Sequence, residues 1–256
     1  MSNPVFFTPA GTLDQQAPGS TFVLEGAEAR HAVTVKRLAV GESVDIADGA
    51  GKRITGTVTG VAPQELTVEC GEVVVEPRPD VRLVLVQALA KGDRDELAAE
   101  TATELGIDAV VPWQAERSIV RWKPERAAKA HAKWQSVVTA AAKQARRAWI
   151  PEVRAAVDAN GLQAAVAAAD LAVILHEDAV RPLRRVLEAW RQENVDGGEP
   201  REVLLIVGPE GGISPREVTR LCDAGAVTAL LGHHVLRSST AGPAATVLAS
   251  DILGRW

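Results

Sequence analysis

Five short runs, at residues 81–86, 109–112, 171–175, 203–207 and 227–231, are apolar almost throughout and alternate with stretches of helical character. A strand that is apolar on both faces has to be covered on both, and the intervening helices are what can cover it. The last two thirds of the chain therefore read as α/β, a mostly parallel sheet with helices on both faces. Residues 93–105 are expected to form a helix closed by Gly106, 124–147 a long helix, and the Ala-rich stretch near 155–169 another.

The first 76 residues have a different rhythm. Short β-rich segments at 21–24, 43–47, 53–58 and 66–70 are bounded by Gly, Pro or Asp, with a hairpin turn at Asp48-Gly49-Ala50-Gly51 and one short helix over 27–38. This pattern suggests a small barrel. Glu76-Pro77-Arg78-Pro79-Asp80 is the natural linker, because two prolines forbid helix and interrupt a ladder. The expected domains are therefore 1–76 and 80–256.

No apolar run reaches the roughly 18–20 residues that a membrane span requires. The start, Met1 to Phe7, has neither a basic region nor a long apolar one, so the expected compartment is the cytoplasm. Cys70 and Cys222 lie far apart and form no ligand spacing with the five histidines, so no metal site is expected. The net charge of −5 argues mildly against a nucleic-acid coat protein, but it conceals an asymmetry. Ten basic residues and two acids fall between Arg117 and Arg154, against nine and eighteen before that segment. Such separation can focus a polyanion onto one face. Trp113, Trp122, Trp134 and Trp149 lie in or beside the basic stretch, either as stacking platforms for bases or, more simply, as packing.

The run at 203–207 opens into Gly208-Pro209-Glu210-Gly211-Gly212, then Ile213. Ser214, Pro215 and Glu217 next mark a helix start with a capping box. Three glycines between strand and helix let backbone N–H groups face a ligand, although a plain tight turn would use the same residues. There is no G-x-x-x-x-G-K-[ST], and no G-x-G-x-x-G follows the first strand of the domain, which argues against an NTPase or a dinucleotide dehydrogenase. Two more loops follow strands in the same way: His176-Glu177-Asp178 after Leu175, and Leu231 to Thr240. If the three strands are neighbours, the loops converge, since ligands bind at strand C-terminal ends in open parallel sheets.

Gly208 to Ile213, Leu231-Gly232 and Val235-Leu236-Arg237-Ser238-Ser239-Thr240-Ala241 resemble the signature of the RsmE family, which methylates N3 of a uridine in 16S ribosomal RNA. Gln87 to Asp93, Thr103-Glu104-Leu105-Gly106, Glu116-Arg117-Ser118, and Gln144 to Arg147 with Pro151 are similar to further motifs of that family, in order. His31-Ala32-Val33, Arg37-Leu38, Gly41 and Asp48-Gly49 resemble its PUA-like RNA-binding barrel. Two departures stand out: Val5 precedes Phe6-Phe7 where the family often has arginine, and Ser239 stands where it often has a carboxylate. No general base is assigned at Ser239.

The resemblance implies a SPOUT-type fold with a C-terminal trefoil knot that holds S-adenosylmethionine at a homodimer interface, and 16S RNA or the 30S subunit as partner. Leu175, His176, Gly208, Pro209, Glu210, Gly212, Ile213, Leu231, Gly232, Val235 and Leu236 are the expected cofactor residues. Glu210 could instead cap its own turn, and His176 could instead be structural. Arg237 and Arg147 are the candidate catalytic residues, able to stabilise charge on the uracil or the adjacent phosphate. Arg30, Lys36, Arg37, Lys91, Arg117, Arg121 and Arg146 are the expected RNA contacts. A non-catalytic RNA-binding module and an unrelated nucleotide enzyme are the competing classes, and a titration with S-adenosylmethionine, NAD and ATP separates them.

Overall fold

The computed structural model describes residues 3–194 and 200–256. The chain forms two compact units, Met1–Arg78 with Ala142–Ile150, and Pro79–Ala141 with Pro151–Trp256.

In the first unit β1 (Val5–Phe7), β2 (Thr21–Glu25), β3 (Ser43–Ala47), β4 (Lys52–Ala62) and β5 (Glu65–Val75) form one sheet in the order β1-β3-β4-β5-β2. Alternate residues of these strands, among them Phe6, Phe22, Val44, Ile46, Ile54, Leu66 and Val68, bury one shared core. The edge strands β1 and β2 do not pair with each other, so the expected barrel is an open one. The helix expected over 27–38 is instead α1 (Gly26–Arg30) running into a π-helical turn, His31–Val35. There Lys36 N–H reaches His31 O across five residues.

Where the sequence shows one break at 76–80, residues 142–150 pack with the first unit. Trp149 bridges to Ala50, its Nε1 donates to Glu76 O at 2.8 Å, and the Arg78 guanidinium lies 4.1 Å over its ring. Gly51 N–H donates to Ala148 O, and Ile150 N–H to Gly49 O. These contacts join residues 71 to 101 positions apart and leave no local signature. Gly51 has φ +98°, and a Cβ there would collide with the Trp149 ring. Gly51→Ala is accordingly expected to cost about 2 kcal/mol or more, through backbone strain and overpacking together. Urea unfolding measures that loss.

Among the described residues the second unit holds six parallel strands: β6 (Val81–Ala88), β7 (Ala109–Trp113), β8 (Glu152–Val153), β9 (Leu171–Leu175), β10 (Arg201–Val207) and β11 (Val227–Ala229). Their order is β11-β9-β10-β6-β7-β8. The helices are α2 (Arg94–Glu104), α3 (Pro124–Gln144), α4 (Ala159–Ala168), α5 (Leu183–Glu193), α6 (Pro215–Asp223) and α7 (Ser238–Ile252). Val84, Val86, Leu204 and Ile206 face Leu162 and Val166 of α4 and Leu221 of α6. Leu85 points to the other face, against α7, where a Cβ on Gly242 would stand 2.8 Å from it. The α/β expectation with two covered faces holds. Two boundaries differ. The long helix stops at Gln144 because Arg147 N–H turns back to Ala142 O, and β11 stops at Ala229 because Leu230 N–H bonds Arg181 O instead.

Trp113 and Trp134 are fully buried, which removes them as base-stacking platforms. No helix among the described residues is long and apolar enough to cross a membrane. No cluster of three or more His, Cys, Asp or Glu side chains among them could hold a metal ion.

Candidate active site

β10, β9 and β11 are consecutive in the sheet and parallel, so the loops that follow them leave its same edge side by side. Gly208 follows β10 directly, and a Cβ there would meet Ile213 Cγ1 at 2.6 Å, so the turn closes only over glycine. Gly212 has φ +71°, a left-handed value that a Cβ disfavours. Ser214 then caps α6 with the full capping box: its Oγ accepts Glu217 N–H, and the Glu217 carboxylate accepts Ser214 N–H.

The loop is fastened from two sides by residues distant in sequence. Glu210 Oε1 accepts Lys91 N–H at 3.1 Å and the Arg94 guanidinium at 3.0 Å. Burial opposes ionisation of Glu210. The hydrogen bonds from its own amide, from Lys91 and from Arg94 outweigh it and hold the carboxyl below its ordinary range. On the other side Arg117 Nη1 donates to Gly211 O at 3.1 Å. Glu116 N–H donates to Glu217 Oε1 at 2.8 Å, and Glu116 Oε2 accepts the Ser214 hydroxyl at 2.7 Å. Glu116 and Arg94 escaped the sequence reading as loop supports, because nothing local ties residues 94, 116 and 210–217 together.

Within the neighbouring loops, His176 Nδ1 accepts Asp178 N–H, so the ring is part of its turn, and the His176 backbone N–H donates to Ala229 O. Leu175 and Leu231 are half-buried, while Gly232, Val235 and Leu236 are exposed, Val235 to 78%. Arg237 is the exposed N-cap of α7 and makes no ion pair among the described residues. Lys91, Arg117 and Arg121 also belong to this unit, and the last donates to Glu116 O. Arg147, with Arg30, Lys36, Arg37 and Arg146, belongs to the first unit. The basic run is less available than its count implies. Lys133 pairs with Asp93 and Glu96, Lys143 with Glu28, and Arg154 with Glu202.

The RNA methyltransferase domain family matches residues 77–250, and the RNA methyltransferase PUA domain family matches residues 24–69. Fold and site thus define an RNA methyltransferase with an appended PUA domain. Ribosomal RNA small subunit methyltransferase E of Mycobacterium bovis is 38% identical over 93% of this chain and 89% of its own, and that of Bacillus subtilis 28% identical over 89% and 88%. The Neisseria gonorrhoeae methyltransferase E, solved with S-adenosylmethionine, superposes with a TM-score of 0.79 at 26% identity, covering 98% of both chains. A Legionella pneumophila protein solved with the same cofactor gives 0.81 at 28% identity and the same coverage. The chain belongs to the ribosomal RNA small subunit methyltransferase E family.

Proposed function

We propose that this protein transfers a methyl group from S-adenosylmethionine to N3 of a uridine in 16S ribosomal RNA, as a homodimer acting in the cytoplasm. The observation that carries the reading is the set of three adjacent loops: a braced glycine turn beside exposed Val235 and Leu236, with Arg237, which makes no ion pair among the described residues, at their end. The donor set fits an adenosine. Backbone groups at Gly208, Gly212, Leu231 and Leu236 hold its polar edge, and Leu175, Ile213, Leu231 and Leu236 enclose the ring, with Pro209, Gly232 and Val235 completing the wall. Glu210 and His176 support the loops rather than the ligand.

When bound, the cofactor supplies a methyl group on a good leaving group, so the protein's own work is positioning and exclusion of water. Uracil N3–H is a weak acid, and Arg237 stabilises the anion that remains when its proton leaves. Arg147 serves the phosphate or the base, and Lys91, Arg117, Arg121, Arg30, Lys36, Arg37 and Arg146 attract the RNA backbone. The reading includes a C-terminal knot, with which the strand order, β10 between β6 and β9 and β11 outside β9, is compatible. Exposed Val180 and Val235 support a second copy over this edge.

Nucleoside mass spectrometry of 16S RNA from a deletion strain tests the activity: 3-methyluridine is expected to disappear and to return with the intact gene. Persistence at the normal level would overturn the assignment, and a protein that takes up no S-adenosylmethionine in calorimetry would be a binding module instead.

A further inference from the structure

Among the described residues, four helices end in the same way: the third residue past the helix folds its N–H back five residues, and the residue before it adopts a left-handed backbone. α2, α6 and α7 place Gly106, Gly225 and Gly254 at that left-handed position, with φ of +100°, +110° and +73°. Glycine is the usual residue there because a Cβ is strained. α3 ends identically, with Arg147 N–H to Ala142 O at 2.9 Å and Arg146 N–H to Lys143 O at 3.1 Å, yet its left-handed residue is Arg146, φ +56°. The π-helical turn after α1 repeats the exception. Lys36 N–H bonds His31 O, Leu38 N–H bonds Ala32 O, and the left-handed residue is Arg37, again φ +56°.

The fold does not use either guanidinium. Both residues are exposed, and neither side chain makes a hydrogen bond or ion pair among the described residues. A cation near a helix C-terminus does offset the macrodipole, but an unstrained position in the last turn serves that purpose equally well. The two helix ends are also tied together within the first unit. Lys143 Nζ lies 2.7 Å from Glu28 Oε2, 3.1 Å from His31 Nδ1 and 4.7 Å from the Phe6 ring centroid. Burial, and after it the Lys143 charge, pushes His31 below the ordinary imidazole value. Exposed Arg30 and Lys36 flank Arg37 on the same helix end.

We infer that Arg37 and Arg146 are a pair of RNA phosphate anchors, retained at two glycine positions for their charge at the expense of stability. The inference rests on the RNA-modifying reading above and deepens it. Arg37→Gly and Arg146→Gly in the full chain are each expected to melt about 2–4 °C higher than wild type. Binding of transcribed 16S RNA, followed between about 50 and 200 mM salt, is expected to weaken, with its salt slope reduced by about 0.7–0.9 per arginine removed. Arg37→Lys and Arg146→Lys keep both the strain and the charge, and so should match wild type in melting and slope. Glycine variants that gain stability with an unchanged salt slope, or that lose stability, overturn the pair. Wild-type protein without salt-dependent RNA affinity overturns the RNA reading beneath it as well.

Discussion

Arg237→Ala is expected to lower the rate of methyl transfer about 100-fold or more while leaving S-adenosylmethionine affinity within a few-fold of wild type. The asymmetry follows from where the charge is needed. Loss of the N3 proton puts negative charge on the uracil, and attack on the methyl carbon consumes it, so a cation aimed there stabilises the anionic nucleophile and the transition state but gains little from the neutral uracil as first bound. Arg237 is exposed, ends the loop that carries Val235 and Leu236, and has no carboxylate partner among the described residues. Its neighbour Ser239 brings no acid that would neutralise it. Single-turnover methylation of 16S RNA or 30S subunits, with parallel calorimetry for the cofactor, separates the terms. Equal losses in rate and cofactor affinity would make Arg237 a cofactor-holding residue and remove it from the chemistry.

The parts of this protein that were legible in advance are those written in local pattern. Continuous apolar runs announced a two-faced parallel sheet, and Ser214-Pro215 with Glu217 announced the cap of α6, because both rest on periodicity and on contacts within four residues. The braces on the glycine loop were not legible. Glu116 meets Ser214 across 98 residues and Lys91 meets Glu210 across 119, so only the folded sheet brings them together. The docking of residues 142–150 on the first unit escaped for the same reason. Arg146 escaped differently: its sequence context reads as continuing helix, and its left-handed φ is a property of the cap.

Those braces set the second large effect. Glu217 is only 2% exposed, and its carboxylate accepts both Ser214 N–H and Glu116 N–H while Ser214 Oγ caps its own amide. Glu217→Ala strands the buried Ser214 N–H, removes the acceptor of the part-buried Glu116 N–H and dissolves half of the capping box, for an expected loss of about 2–4 kcal/mol. For a chain of this size that is a melting drop of roughly 5–10 °C. The loss falls at the joint between the glycine turn and α6, so cofactor affinity should drop about tenfold in the same variant, measured by calorimetry well below its melting point. Glu217→Gln keeps one carbonyl acceptor and is expected to lie between the two. The comparison with a destabilising change elsewhere decides what the brace is for. Gly51→Ala lowers stability in the first unit without touching the loop, so its folded protein should bind S-adenosylmethionine as wild type does. If Glu217→Ala lowers the melting point but leaves cofactor affinity intact, the network around Glu116 stabilises the domain and does not shape the pocket.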